Sequence, residues 1–214
     1  MNTFSVGTAI KFGWETFKKR PWILIGGFLA AMLVSGIASS LLDPGEDAPF
    51  TLMTLLMGIA SLIIGMLVEI GLVTFSLRAH DSVETVKIND LWNPKPFWFY
   101  LAGQILVGVS VVVGLILLII PGVILALGLL FSSYLIIDKQ KGPIEAIKES
   151  WRITKGHKWQ LLLFILAIIG LNIIGFLLLI VGLLVTVPVT MLAMVHVYRE
   201  LEHKASEVTP VPIA

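Results

Sequence analysis

Cysteine is absent from this chain, which excludes disulfides, thiolate metal sites and cysteine nucleophiles. Charge is scarce too. Asp, Glu, Lys and Arg make up 14% of the 214 residues, roughly half their share in soluble domains. The sequence carries no Gly-rich phosphate loop, nucleophile elbow or pair of catalytic carboxylates. The chain is therefore expected not to be an enzyme, and no cofactor is implied. No basic segment is interleaved with base-stacking aromatics, so nucleic acid is not an expected partner.

What is present is long apolar runs and a lopsided charge map. Four stretches without Asp, Glu, Lys or Arg divide the chain: 21–42, 48–68, 96–137 and 159–198. All fifteen Lys and Arg residues fall outside them. The connection between the first two, 43–47, holds Asp43, Glu46 and Asp47 and no base. That is a positive-inside pattern. A helix needs about 20 apolar residues to cross the hydrocarbon. One crossing follows for 21–42 and a second for 50–77, interrupted only by Glu69. The stretches 96–137 and 159–198 are twice that length and must fold back. Pro121-Gly122 and Val181-Gly182 are the expected turns, because proline lacks a donor and glycine permits a reversal. The fold class is all-α: a polytopic membrane bundle of six transmembrane helices in three hairpins, with both termini cytoplasmic. Lys18-Lys19-Arg20 before an apolar run imitates a signal peptide, but the preceding residues are too long and too patterned for one.

That pattern recurs. Ala9-Ile10-Lys11 and Trp14 precede Trp22 as Ala146-Ile147-Lys148 and Trp151 precede Trp159, and Lys18 matches Lys155 in the same register. A weaker copy pairs Trp92 with Tyr100. The chain reads as three units of about 4–78, 82–138 and 142–204, each an amphipathic interfacial segment followed by two spans. Together they form one membrane domain over 1–206, and 207–214 reads as a disordered tail.

In the third copy Ile144, Ile147 and Trp151 share one helical face, while Lys148, Arg152 and Lys155 take the other. Pro143 can open that helix because its missing N–H costs nothing there. The first copy places Val6, Ile10, Gly13, Trp14 and Phe17 similarly. Such helices lie in the interface, with the basic face toward anionic headgroups. Each base near an anionic leaflet contributes about 1 kcal/mol. The expected interfacial or headgroup-contacting residues are Lys11, Trp14, Lys18, Trp22, Trp92, Lys148, Trp151, Arg152, Lys155 and Trp159. All six tryptophans fall at this one boundary, where an aromatic belt belongs.

Inside the spans polarity is sparse. Glu69, Gln104 and Asn172 form a possible intramembrane polar site. Glu69 lies nine residues before Arg78, about 13 Å along a helix, which is inner-leaflet depth. It could take a cation or proton, or pair with a neighbouring helix. Gln104 and Asn172 suit interhelical hydrogen bonds. His196, Glu200 and His203 share a helical face, yet three ligands without a second cluster do not make an expected metal site.

The run 138–157, with Gly142-Pro143 and Glu149-Ser150-Trp151-Arg152, resembles a prokaryotic family of uncharacterised multi-pass integral membrane proteins. So do Ile120-Pro121-Gly122, Gly13-Trp14 and Phe17-Lys18-Lys19. The family is similar to the membrane domain attached to some glycerophosphoryl diester phosphodiesterases. The resemblance implies a six-span protein of the bacterial or archaeal cytoplasmic membrane. It brings no activity, because the soluble phosphodiesterase domain has no counterpart here. The expected role is a lipid-contacting membrane organiser or partner-complex subunit. Its partners would be membrane lipids with anionic headgroups, and a second copy or another protein. The alternative is a small transporter or channel component using the intramembrane polar residues.

Overall fold

The computed structural model describes residues 4–45, 48–178 and 181–208. Among them the regular structure is entirely helical. In chain order the helices are α1 (Val6–Lys19), α2 (Pro21–Leu42), α3 (Leu52–Ser82), α4 (Phe97–Leu117), α5 (Ile119–Gly128), α6 (Ser132–Lys139), α7 (Pro143–Thr154), α8 (Lys158–Leu177) and α9 (Leu183–Val208), with a 3-10 helix at Ile88–Leu91. Six helical lengths are long and apolar enough to cross a membrane: α2, α3, α4, α5 with α6, α8 and α9.

Local chemistry explains the boundaries. Pro21 and Pro143 open α2 and α7 from the first turn, where no intrahelical N–H is lost. Thr51 and Thr54 cap α3 reciprocally, which satisfies donors the helix cannot. The second hairpin turns at Leu118, a single extended residue (φ −164°) between α4 and α5, and not at Pro121-Gly122. Pro121 sits in the first turn of α5, a position that tolerates it. Gly122 serves packing instead: a Cβ there would strike Leu115 of α4. The third hairpin does turn around Val181-Gly182, between Leu177 and Leu183; its residues 179–180 lie outside the described residues, as do Glu46, Asp47 and 209–214 of the expected tail. Glu207 and Val208 of that tail belong to α9.

The second lead-in also differs from expectation. It is the four-residue 3-10 helix, not an amphipathic α-helix. Pro94 and Pro96 follow within five residues of Leu91, leaving no room for a helical turn to propagate.

Lead-ins and spans interlock as a ring at the end where the basic residues gather. The 3-10 helix packs on α3, α7 packs on α5 and α6, and α1 packs on α9. Each lead-in thus seats on the second span of another unit, and α1 closes the ring by reaching the far end of the chain. Small residues permit the approach. A Cβ on Gly71 would meet the Leu91 carbonyl, and one on Gly13 would meet that of Val189. The buried positions of α1 are Ala9, Gly13, Thr16 and Phe17; those of α7 are Ala146, Ser150, Ile153 and Thr154. They coincide in the register that aligns Trp14 with Trp151.

The core sits at the same end. Every buried residue of α3 lies at or beyond Ile70. There it joins Tyr100, Phe131, Leu135, Phe164, Tyr198 and Leu201. At 31 residues α3 is about 46 Å long, more than a bilayer's hydrocarbon thickness of about 30 Å. The opposite half exposes Leu33, Ile37, Leu56, Ile116, Ile173 and Leu177, the surface expected to face lipid tails. Tails are as apolar as leucine, so close packing and hydrogen bonds must hold the helices together.

Candidate functional site

The basic end is built from the three lead-ins and the tips of the spans. All six tryptophans are exposed there, from Trp151 at 37% to Trp22 at 84%. Trp22, Trp98 and Trp159 stand at the starts of α2, α4 and α8; Trp14 and Trp151 lie on α1 and α7. Lys11, Lys18, Lys148 and Lys155 are exposed beside them. Lys158 places its Nζ 3.2 Å from the Trp151 ring centroid, a cation–π contact that fixes both at the boundary.

α7 turns a small, partly polar face inward and its apolar ridge outward. Ile144 is 60% exposed. The inward face repairs a break in the fourth span. Between Gly128 and Ser132 the helix is interrupted, which frees backbone groups. Ser150 donates to the Gly128 carbonyl at 2.9 Å and accepts from the Phe131 N–H at 3.2 Å. Thr154 also donates to Gly128, at 3.2 Å. Irregular backbone at membrane depth is tolerated where protein buries it, and Phe131 is fully buried. Gly128 itself lies under the Trp151 ring, where a Cβ would collide.

An ion-pair clasp joins the second spans. Arg199 of α9 pairs with Asp138 of α6 at 2.7 Å and with Asp81 of α3 at 2.8 Å. Glu202 accepts from Lys139 at 3.0 Å, and Tyr198 donates to Asp138 at 2.9 Å. None of these residues stood out in the sequence, since each pair is remote along the chain. On α7, hydrogen bonds from Arg152 hold the Glu149 carboxyl below the usual carboxylate range, and Lys141 adds to this.

The three intramembrane candidates do not form one site. Gln104 donates to the Tyr100 hydroxyl at 2.7 Å, and Glu69 lies close enough to that hydroxyl to act on it electrostatically. Tyr100 is three residues inside α4 and two after exposed Trp98, so the cluster is near the boundary and not at the midplane. Asn172 is elsewhere, on α8, donating to Thr190 of α9 at 3.3 Å. Its Oδ1 is buried without a partner among the described residues. His196, Glu200 and His203 are also dispersed. His196 faces His80 at 3.4 Å under the Phe12 ring, Glu200 pairs with Lys204, and His203 with Glu207. No group of metal-binding side chains forms among the described residues.

Helix lengths, exposed apolar flanks and a tryptophan-ringed end define a multi-pass membrane protein. The chain belongs to the DUF975 family, proteins of unknown function, whose profile matches residues 3–205. An uncharacterized protein of Mycobacterium bovis is 26% identical over 223 residues, covering 92% of this chain and 69% of its own length. Two uncharacterized proteins of Mycobacterium tuberculosis match to the same extent. No solved structure matches.

Proposed function

We propose that this chain is a non-enzymatic membrane protein that binds anionic lipids at the inner leaflet and so organises the bilayer or supports a partner complex there. Its basic end rests on the cytoplasmic side of a bacterial or archaeal cytoplasmic membrane, with both termini on that side. The observation that carries this reading is the convergence of six exposed tryptophans and exposed Lys11, Lys18, Lys148 and Lys155 at one end. Amphipathic surfaces of that composition bind anionic interfaces. The resemblance to membrane domains that accompany phosphodiesterases fits the same role, that of a membrane module working beside a partner.

Native mass spectrometry of the protein released from nanodiscs of equal phosphatidylglycerol and phosphatidylcholine tests it. Phosphatidylglycerol is expected to be retained preferentially, and charge reversal at Lys11, Lys18 and Lys148 together should weaken the preference. Equal retention of both lipids by the unaltered protein would overturn the reading.

A further inference from the structure

A cavity of about 290 Å³ opens between the end of α7, the turn into α8 and the last part of α9. Arg152, Lys155, His157 and Lys204 line it over a floor that includes Ile153 and Leu201. No carboxylate is among its lining residues. The bases come from two parts of the chain that α8 and most of α9 separate. The turn places two of them: Gly156 takes φ +84°, a conformation glycine adopts freely, between Lys155 at the end of α7 and His157 at the cap of α8.

We infer that this cavity binds a phosphate ester, and that the headgroup of an anionic phospholipid is its occupant. The site rests on the lipid-binding reading above and gives it an address. Three observations assign the chemistry. First, the fixed charges of the lining itself are all positive, although two of them are shared with acids outside it, which leaves Lys155 as the unshared cation. Glu200 accepts from Lys204 at 2.6 Å, and Glu149 from Arg152 at 2.5 Å. Second, the groups are graded in availability. Arg152 also donates to the Ala205 carbonyl at 3.0 Å, so it supplies mainly field. Lys155 is exposed and has no partner among the described residues, so its three donors are available to an anion. His157 donates from Nδ1 to Gln160 Oε1 at 3.2 Å, so it shapes the wall of the cavity and is not counted among the donors to the anion. Third, the cavity lies at headgroup level. Trp159, two residues past His157, is 70% exposed, as an interfacial aromatic is. The volume is at the small end of ligand sites, suited to a headgroup more than to a nucleotide.

The test uses the full chain in nanodiscs of equal phosphatidylglycerol and phosphatidylcholine, and in detergent with sn-glycerol 3-phosphate as the soluble probe. Lys155→Gln with Lys204→Gln is compared with Lys11→Gln plus Lys18→Gln, an equal charge change on α1. Helix content by circular dichroism verifies that each variant folds, and Lys155→Gln alone serves if the pair does not. The pocket pair should lower retained phosphatidylglycerol at least about fivefold, the share of the unshared Lys155 alone, and the α1 pair much less. Loss confined to the lipid assigns the site to the headgroup. Loss confined to glycerol phosphate keeps the phosphate site and overturns the lipid as its occupant. Equal losses from both pairs would overturn the site altogether while leaving a diffuse lipid-binding surface standing. If the unaltered protein shows no lipid preference, the broader reading fails, and glycerol phosphate still decides the cavity.

Discussion

Arg199 grips Asp138 with both terminal nitrogens, Nη1 to Oδ2 at 2.7 Å and Nη2 to Oδ1 at 3.1 Å. Two parallel bonds fix the guanidinium plane. The same side chain reaches Asp81, so the tips of all three second spans meet at one cation. The partners are 22% and 14% exposed, which leaves their charges partly desolvated. Removing Asp138 leaves Arg199 with Asp81 and the more distant Glu202 only. Asp138→Ala should lower unfolding stability in detergent by about 2–3 kcal/mol, somewhat below the cost of breaking a fully buried pair. A double-mutant cycle with Arg199→Ala should show coupling above about 1 kcal/mol. Simple additivity would mean that the clasp does not hold the spans.

Gly128 and Ser150 make a second, independent joint. Ser150→Ala leaves the Phe131 N–H unpaired in the core, while Thr154 keeps the Gly128 carbonyl satisfied. The cost should be about 1–3 kcal/mol, that of one buried orphan. Gly128→Ala drives a methyl into the Trp151 ring. It should cost about as much by overpacking and shift tryptophan emission as Trp151 moves. Unchanged unfolding midpoints in both variants would contradict this view of the broken span.

Much of the fold is legible in the sequence, because the period and length of apolar runs report directly on spans. Orientation of the lead-ins is harder. The stripe Ile144, Ile147 and Trp151 marks a real face of α7, and Ile144 is turned outward, but the sequence does not single out Ala146, Ser150 and Thr154 as the face the bundle takes. In lipid, an apolar face can be the exterior, and small residues are the better sign of helix contact. Pro121 misleads for a related reason. It suits the start of a helix as well as a turn, and the reversal needs only Leu118. The clasp has no sequence signal at all: its partners are 61 and 118 positions apart. Of the polar candidates, Glu69 and Gln104 do share a neighbour, which one sequence cannot reveal since Tyr100 looks like any interfacial aromatic.

Gly13 is the contact through which α1 closes the ring. Its Cα faces the Val189 carbonyl and the Ala193 amide of α9, both backbone, so neither can swing aside. Gly13→Leu should loosen α1 while sparing the spans. Trypsin should then cut after Lys18 and Lys19 faster than in the unaltered protein. Equal digestion rates would show that α1 does not depend on this approach.

The Glu149–Arg152 pair should give α7 an acid-sensitive hold. Arg152 keeps the Glu149 carboxyl lowered, so the folded state binds that proton less readily than the unfolded one. The stabilisation is complete above the unfolded carboxyl value of about 4.3 and disappears as pH falls through the lower folded value. The unfolding midpoint should therefore fall on acidification below about pH 4.3, and Glu149→Gln should reduce the slope. An identical slope in Glu149→Gln would assign the acid sensitivity to other groups.

The side of the membrane on which the basic end lies decides the topology, and a chain without native cysteine permits clean single-cysteine labelling. Asp43→Cys, Lys11→Cys, Lys95→Cys and Lys155→Cys would be expressed in bacterial cells and exposed to a membrane-impermeant maleimide. Only Asp43→Cys should react in intact cells, and the other three only after permeabilisation. Labelling of Lys155→Cys or Lys95→Cys in intact cells would place the basic end outside and overturn the inner-leaflet orientation.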